Sequence, residues 1–301
     1  MGILALDIGG TAIKYGVYNF STGTFERIYE KTTPKSKTTN LIMESVKQII
    51  EEMTDDDKIE GIAVSTAGVV DPKKGTVVFA GPTIPGYTNT PIKQIIENQF
   101  NIPCEVENDV NCAALGELWK GAGKESSSLV CTTIGTGVGG SVILDGKLWH
   151  GASYSAGELG YLPVASGRTL QEEASTTALV ANYSARTNIQ KEKLNGKIIF
   201  KKARSGEEAA IEAIDDMLTS LIQGLLAVTY LISPETIVIG GGIAAQKDYL
   251  ESKIKAKLEQ SIISERMLPK TIVCAELGNT AGMTGAIYHF TKIHPDRHYT
   301  V

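Results

Sequence analysis

The chain has 301 residues, enough for two cores of roughly 120–180 residues each. Its 29 basic and 34 acidic residues leave a net charge of −5, which gives no general attraction to nucleic acid or anionic membranes, and no apolar run approaches the ~18 residues of a membrane span. A hydrophobic content of 42% excludes wholesale disorder, Asp7 arrives too early for a signal peptide, and the scattered Cys104, Cys112, Cys131 and Cys274 fit reduced, buried thiols of a cytoplasmic protein rather than a zinc site.

In chain order, Ile3–Asp7 and Ala12–Tyr18 read as two strands joined by a tight turn at Gly9-Gly10. Leu41, Ile42, Val46, Ile49 and Ile50 recur at three- and four-residue spacing and predict a helix. Lys58 to Val70 reads as a buried strand, Pro91–Phe100 as a helix, Glu105–Glu107 as a short strand and Val110–Gly121 as a helix, an order that suggests a mixed sheet flanked by helices. A similar opening then recurs: apolar Leu129–Ile134, a glycine-rich break, and Ser141–Leu144 before a hairpin signal at Asp145-Gly146. Two strand–glycine-turn–strand units predict two related halves whose turns face a shared cleft. Beyond them, the lysine- and arginine-bearing stretch 196–206 reads as a solvated loop or helix end, and Gly206–Leu231 as long helix. Thr236–Ile239 reads as a buried strand, Tyr249–Gln260 as a helix, and Ala281–Ala286 as a glycine-rich helix start.

Five segments carry chemistry. In Asp7-Ile8-Gly9-Gly10-Thr11, glycine permits positive φ and close backbone approach, so consecutive N–H groups could face a phosphate; Asp7, ending a buried strand, is placed to hold Mg²⁺ directly or through water. An ordinary hairpin turn is the alternative. Gly135-Thr136-Gly137-Val138-Gly139-Gly140 gives up more conformational entropy than a turn requires, and wrapping phosphate oxygens is the simplest account. It is neither a Rossmann fingerprint, since strand rather than helix follows, nor a Walker A loop. In Glu107-Asn108-Asp109-Val110-Asn111, Asn108 and Asp109 open a helix, where capping is one reading. The other is that Asp109 accepts a proton from a substrate hydroxyl while Asn108 holds a neighbouring one. Glu158, flanked by Gly157 and Gly160, could bind vicinal hydroxyls or be a surface carboxylate. Gly240-Gly241-Gly242 could pack bare backbone against adenine or simply start a helix.

Together and in this order, the motifs resemble the ROK family of sugar kinases (repressors, open reading frames, kinases), which belongs with hexokinase to the actin-like ATPase superfamily. The resemblance covers nearly the whole chain. It implies an α/β fold of the actin-like ATPase (ribonuclease H-like) kind, two related domains with mixed sheets around a cleft. Residues 1–115 plus about 287–301 would form a smaller domain and 116–286 a larger one, with ATP, Mg²⁺ and sugar between them. The strand residues Ala5 and Leu6 with Asp7–Thr11 match the first phosphate loop, and Ile134 with Gly135–Gly140 the second. Gly240–Gly242 match the adenosine region, Ala281–Ala286 the last interdomain connection, and Ser65–Asp71, with Gly68, the sugar-side loop. Asn108 and Asp109 match the sugar-binding Asn and catalytic Asp.

The departures concern the sugar. Zinc-bearing members carry Gly-Glu-x-Gly-His, where this chain has Tyr161; their cysteine-rich stretch corresponds to a shorter cysteine-free segment, Pro163–Glu172. No zinc is expected. The family's sugar-contacting Glu falls on Gln171, with Glu172 beside it, and the Asn at the sugar's 3-hydroxyl corresponds to Thr83. These changes cluster where the family grips the 1- and 2-positions, and could make room for a substituent at C1. With Tyr161 and the ending Gly285–Phe290, they look like the β-glucoside kinase branch, acting on cellobiose-like sugars; N-acetylmannosamine kinase and glucokinase are the alternatives within the family. A sugar-responsive repressor of the family would place a helix-turn-helix domain before the first phosphate loop, which here begins at Asp7. The resemblance also implies a homodimer, with no nucleic-acid or membrane partner.

Overall fold

A computed structural model describes residues 2–34, 41–56, 58–81 and 84–297. Among them, no helix is long and apolar enough to cross a membrane. They form two compact units. One comprises the described residues up to Trp119, Gly151–Ser155 and those from Asn279 onward; the other comprises Lys120–His150 and Ala156–Gly278.

The first unit opens with strands β1 (Gly2–Ile8), β2 (Ala12–Asn19), β3 (Thr24–Phe25) and β4 (Tyr29–Thr32). Helix α1 (Ile42–Asp56), strands β5 (Ile59–Thr66), β6 (Val69–Asp71) and β7 (Thr76–Phe79), helix α2 (Ile92–Phe100), strand β8 (Cys104–Asn108) and helix α3 (Asp109–Lys120) follow. Its sheet runs β3-β2-β1-β5-β8. The β1–β2 and β2–β3 pairs are antiparallel, whereas β1–β5 and β5–β8 are parallel. Strand periodicity sorts β1 onto two cores. Leu4, Leu6 and Ile8 join α1 and α2 through Val46, Ile49, Ile92 and Ile96, while Ile3 and Ala5 join Cys112 of α3 on the opposite face. The predicted strand from Lys58 to Val70 is in fact two, because Gly68, at φ +100°, turns the chain into the β6–β7 hairpin.

The second unit contains β9 (Leu129–Ile134), β10 (Val138–Leu144) and β11 (Lys147–Leu148), then α4 (Leu170–Ala174), α5 (Thr176–Thr187), α6 (Gly196–Arg204) and α7 (Glu208–Ile232). It ends with β12 (Thr236–Gly240), α8 (Lys247–Ser261) and β13 (Thr271–Cys274). Its sheet order, β11-β10-β9-β12-β13, and its pattern of antiparallel and parallel pairs repeat those of the first. The expected doubling is therefore structural. One core joins Val130, Ile134, Ile237 and Ile239 of the sheet to Leu218, Leu221 and Leu225 of α7. The stretch read as a solvated loop or helix end, 196–206, is mostly helix: Asn195 caps α6, and its Ile199, Phe200 and Ala203 are buried. The lysines occupied the other face, so charge count concealed an amphipathic helix.

Helix α9 (Ala281–Ile293) returns to the first unit. Met283, Ala286, Ile287 and Phe290 pack on Ile3, Ala5 and Ala63. Gly61 makes room for the Phe290 ring, since a Cβ there would lie 2.3 Å from Cζ. Burying such a ring is worth about 1.5–3 kcal/mol.

Candidate active site

In the first unit, Asp7 lies beside Ser65 in the β1–β5 register, and the Ser65 hydroxyl donates to Asp7 Oδ1 at 2.6 Å. Burial pushes the Asp7 carboxyl above its usual range, partly opposed by the Ser65 hydrogen bond and by the charge of Lys14. Lys14 Nζ itself donates to Asn279 Oδ1 at 3.4 Å. Gly282 of α9 stands over the pair, where a Cβ would come within 2.8 Å of Asp7 Oδ1 and 3.0 Å of Ser65 Oγ. A disfavoured buried charge beside a bare glycine suits a hard cation, and Mg²⁺ is commonly held by one or two carboxylates together with substrate phosphates. Among the described residues, no group of three or more His, Cys, Asp or Glu could hold a metal.

The turn after Asp7 differs from the positive-φ nest expected of it. Neither Gly9 nor Gly10 has φ in the left-handed region. The Gly9 N–H closes the turn onto the Ala12 carbonyl at 3.0 Å, and Thr33 Oγ1 donates to the Gly9 carbonyl at 2.6 Å. Among the described residues, the N–H groups of Gly10 and Thr11 meet no protein acceptor. The side chains of Ala5, Leu6 and Ile8 are fully buried.

Asn108 ends β8 and Asp109 begins α3. Asn108 Oδ1 accepts the N–H groups of Val110 and Asn111 at 2.9 and 3.0 Å, which is the capping role. Its Nδ2 donates to the Gly68 carbonyl and to Asp109 Oδ1, both at 2.9 Å. The amide thus ties the Gly68 loop to the Asp109 carboxylate, and a sugar hydroxyl reaching it would displace one of these acceptors. Glu107, fully buried, accepts from Asn108 N at 2.8 Å and Asn111 Nδ2 at 3.0 Å, bracing the junction. The sequence reading assigned no role to Ser65 individually or to Glu107; a carboxylate at a strand end is the one signal that could have marked Glu107. Thr83 lies outside the described residues.

In the second unit, the segment Gly135–Gly140 comprises the turn 135–137 between β9 and β10 and the first residues of β10. Gly135 N donates to the Gly137 carbonyl at 3.0 Å. None of its four glycines has φ in the left-handed region either. Their small size has a local cause at Gly140, where a Cβ would lie 2.3 Å from the Gly157 carbonyl oxygen. The Glu158 loop therefore packs directly on β10, and this packing by itself requires glycine at position 140. At Gly135, by contrast, a Cβ would meet nothing within 4 Å, leaving open backbone. Helix α5 docks its N-terminus on this turn: Thr176 N donates to the Gly135 carbonyl and Thr177 Oγ1 to the Thr136 carbonyl, each at 2.8 Å. Open backbone beside a helix N-terminus is a suitable anion site. Ile134 is fully buried.

Gly135 and Thr136 share a cavity of about 640 Å³ with Gly242, Ile243, Phe200 and Gln246. This size falls within the roughly 300–1,000 Å³ typical of small-ligand sites. Gly241, at φ +80°, is pressed against the Ile134 backbone, with a Cβ position 2.5 Å from the Ile134 carbonyl oxygen, while Gly242 beside it is open. Gly240 ends β12. The two nucleotide segments expected of this half thus meet at one cavity, whose α5 and α6 walls the sequence reading missed. Glu158 is exposed, and partial desolvation raises its carboxyl pKa. Tyr161 is 59% exposed. Gln171 on α4 directs its Oε1 to the second glycine turn, 2.9 Å from the Cβ position of Gly137.

The repeated sheet order with a glycine turn after each first strand defines an α/β protein of the actin-like ATPase fold. The chain belongs to the ROK family, whose model matches residues 3–293. An uncharacterised protein of Clostridium perfringens is 45% identical over 293 residues, 97% of this chain and 99% of that one. A β-glucoside kinase of Listeria monocytogenes is 35% identical over 300 residues, 97% of this chain and 98% of that one. A solved ROK family glucokinase from Streptomyces griseus, in complex with glucose and AMPPNP, superposes with a TM-score of 0.83 at 28% identity, covering 95% of this chain and 98% of that one.

Proposed function

We propose that this chain transfers the γ-phosphate of ATP to the 6-hydroxyl of a glucose-type sugar, with a β-glucoside such as cellobiose as acceptor. The reaction class, ATP-dependent sugar phosphorylation, follows from ROK membership and from full-length similarity to a β-glucoside kinase and a glucokinase. The observation that carries the reading is the Asp109 carboxylate, which opens α3 and is oriented by the Asn108 amide beside the Gly68 carbonyl. A carboxylate in that position takes the proton of the attacking hydroxyl, help worth about 10²–10⁴ in rate. Gly68, Asn108 and Asp109 hold the sugar, joined by Glu158, Tyr161 and Gln171.

Nucleotide occupies the cavity beside Gly135, its phosphates on the open turn and the α5 N-terminus. Mg²⁺, held by Asp7 directly or through water, would neutralise phosphate charge. The β-glucoside choice is supported by the 35% identity to the Listeria enzyme and by Tyr161, whose exposed ring could stack on a second sugar. A homodimer in the cytoplasm completes the proposal.

The test is ATP-dependent phosphorylation across glucose, N-acetylmannosamine, fructose, cellobiose and aryl β-glucosides, with ATP consumption followed with and without sugar. Higher kcat/KM for β-glucosides is expected. Preference for free glucose or N-acetylmannosamine over every β-glucoside would reject the substrate class, and ATP consumption indifferent to sugar would reject the kinase.

A further inference from the structure

We infer that the homodimer forms through the end of the second unit at which β12 begins, each copy covering Tyr230, Leu231, Ile263 and Met267 of the other. The inference deepens the homodimer reading above and rests on it. Leu231 is 78% exposed and Ile263 82%, while Tyr230 and Met267 stand 49% and 48% open. Tyr230 and Leu231 occupy the last turn of α7, and Ile263 and Met267 lie on the short connection between α8 and β13. The Tyr230 hydroxyl accepts the Ile263 N–H at 3.1 Å, and Met267 N donates to the Ser264 carbonyl at 3.0 Å. Helix end and connection thus make one surface. Strands β12 and β13 are parallel, and both are entered from this end. The patch therefore lies at the opposite end of the sheet from Gly240–Gly242 and the cavity beside them.

Area and charge together point to a second copy as the occupant. At roughly 150–250 Å² for a fully exposed large side chain, the four residues present on the order of 500 Å² of apolar surface. A stable interface buries about 800 Å² per partner, and homodimer interfaces are about 65% apolar, which asks for about the same apolar area from each copy. Glu265 and Arg266 are adjacent and exposed between Ile263 and Met267, and among the described residues neither enters an ion pair or a side-chain hydrogen bond. Under a two-fold axis one patch faces itself. Opposite charges side by side then let Arg266 meet the partner's Glu265, whereas a patch of one sign would repel its own copy. The same balance offers no pull toward an anionic lipid surface, which takes a cluster of basic residues.

Sedimentation velocity on the full chain, from submicromolar to tens-of-micromolar concentration, measures the dimer. Leu231→Glu and Ile263→Glu should each raise its dissociation constant by about 30-fold or more, since every substitution counts twice across a two-fold axis. Ile28→Glu, at an apolar residue exposed elsewhere on the chain, should leave it unchanged. Glu265→Arg and Arg266→Glu should each weaken the dimer by about threefold, and the two together should restore it. Circular dichroism and ATP binding by calorimetry report that each variant is folded; where glutamate disturbs the fold, Leu231→Ser and Ile263→Ser make the same comparison. A parent chain that stays monomeric throughout loses the homodimer reading and this inference together, and one that also sediments with phosphatidylserine vesicles would put a membrane on the patch instead. A dimer that survives in folded Leu231→Glu and Ile263→Glu, or dissociates in folded Ile28→Glu, keeps the homodimer reading and overturns the interface. A double reversal that stays as weak as the single ones overturns the two-fold arrangement.

Discussion

Ser65 donates its hydroxyl to Asp7 Oδ1 at 2.6 Å across the β1–β5 pair, so the carboxylate proposed for Mg²⁺ is held by a neighbouring strand. Partners of this kind typically control about 10–100-fold in metal affinity or activity. Ser65→Ala should therefore raise the Mg²⁺ concentration needed for half-maximal rate by about that factor. A Mg²⁺ titration of kcat/KM checks it.

Asp7 also sets a pH-dependent stability. Its folded pKa is raised by burial, so the folded state binds that proton more tightly than the unfolded chain does. The stability contribution is most favourable below the unfolded value of about 3.9 and declines as pH rises through the folded value. Asp7→Asn should stabilise the chain at neutral pH while destroying turnover, and its advantage should vanish on acidification. Urea denaturation from pH 4 to pH 8 reads both trends.

Asp109→Asn should lower kcat by about 10²–10⁴ with ATP affinity unchanged. Asn108→Ala should combine a cap loss of about 0.5–2 kcal/mol with a fall in kcat, because both amide bonds vanish together. Single-turnover kinetics and thermal melts separate the two effects. Asp109→Asn retaining a tenth of wild-type turnover would end the base assignment.

Two glycines, Gly135 of the turn and Gly140 of β10, should behave oppositely. Gly140→Ala drives a methyl into the Gly157 carbonyl and should destabilise by about 1–3 kcal/mol. Gly135→Ala meets nothing within 4 Å, so it should fold normally and lose nucleotide affinity. Melting temperature against ATP titration distinguishes the pair.

Glu235, bonded by Lys270 and by both the N–H and hydroxyl of Ser127, has its carboxyl pulled down to about 2. A depressed carboxylate contributes stability above its unfolded value, about 4.3, that is lost as pH falls toward the folded one. Glu235→Gln should thus be less stable than the parent at pH 6, with the gap closing progressively below pH 4. Denaturation midpoints over that range provide the check.

The doubled architecture was legible because each half announces itself with a local signal, an apolar strand broken by glycine and resumed. The Asn108-Asp109 pair was legible as a helix opening for the same reason. What escaped the sequence depended on neighbours distant in the chain. Ser65 matters through its register with Asp7, and Gly140 through a carbonyl seventeen residues on. The wall made by α6 escaped because four basic side chains on its outer face outweighed Ile199, Phe200 and Ala203 beneath. At Gly9-Gly10 the positive φ that glycine permits goes unused, which depends on the backbone around the turn and not on residue type.

Helix α9 completes the core begun by β1. On the ribosome, the strands of the first unit must therefore remain without one of their covering layers until residues 281–293 have emerged, whereas the described residues of the second unit end at Gly278 and precede them. Synthesis from the N-terminus accordingly reverses the order of completion. A C-terminal truncation before Met283 would damage the opposite end of the sequence, leaving Ile3, Ala5 and Ala63 bare for chaperones or aggregation.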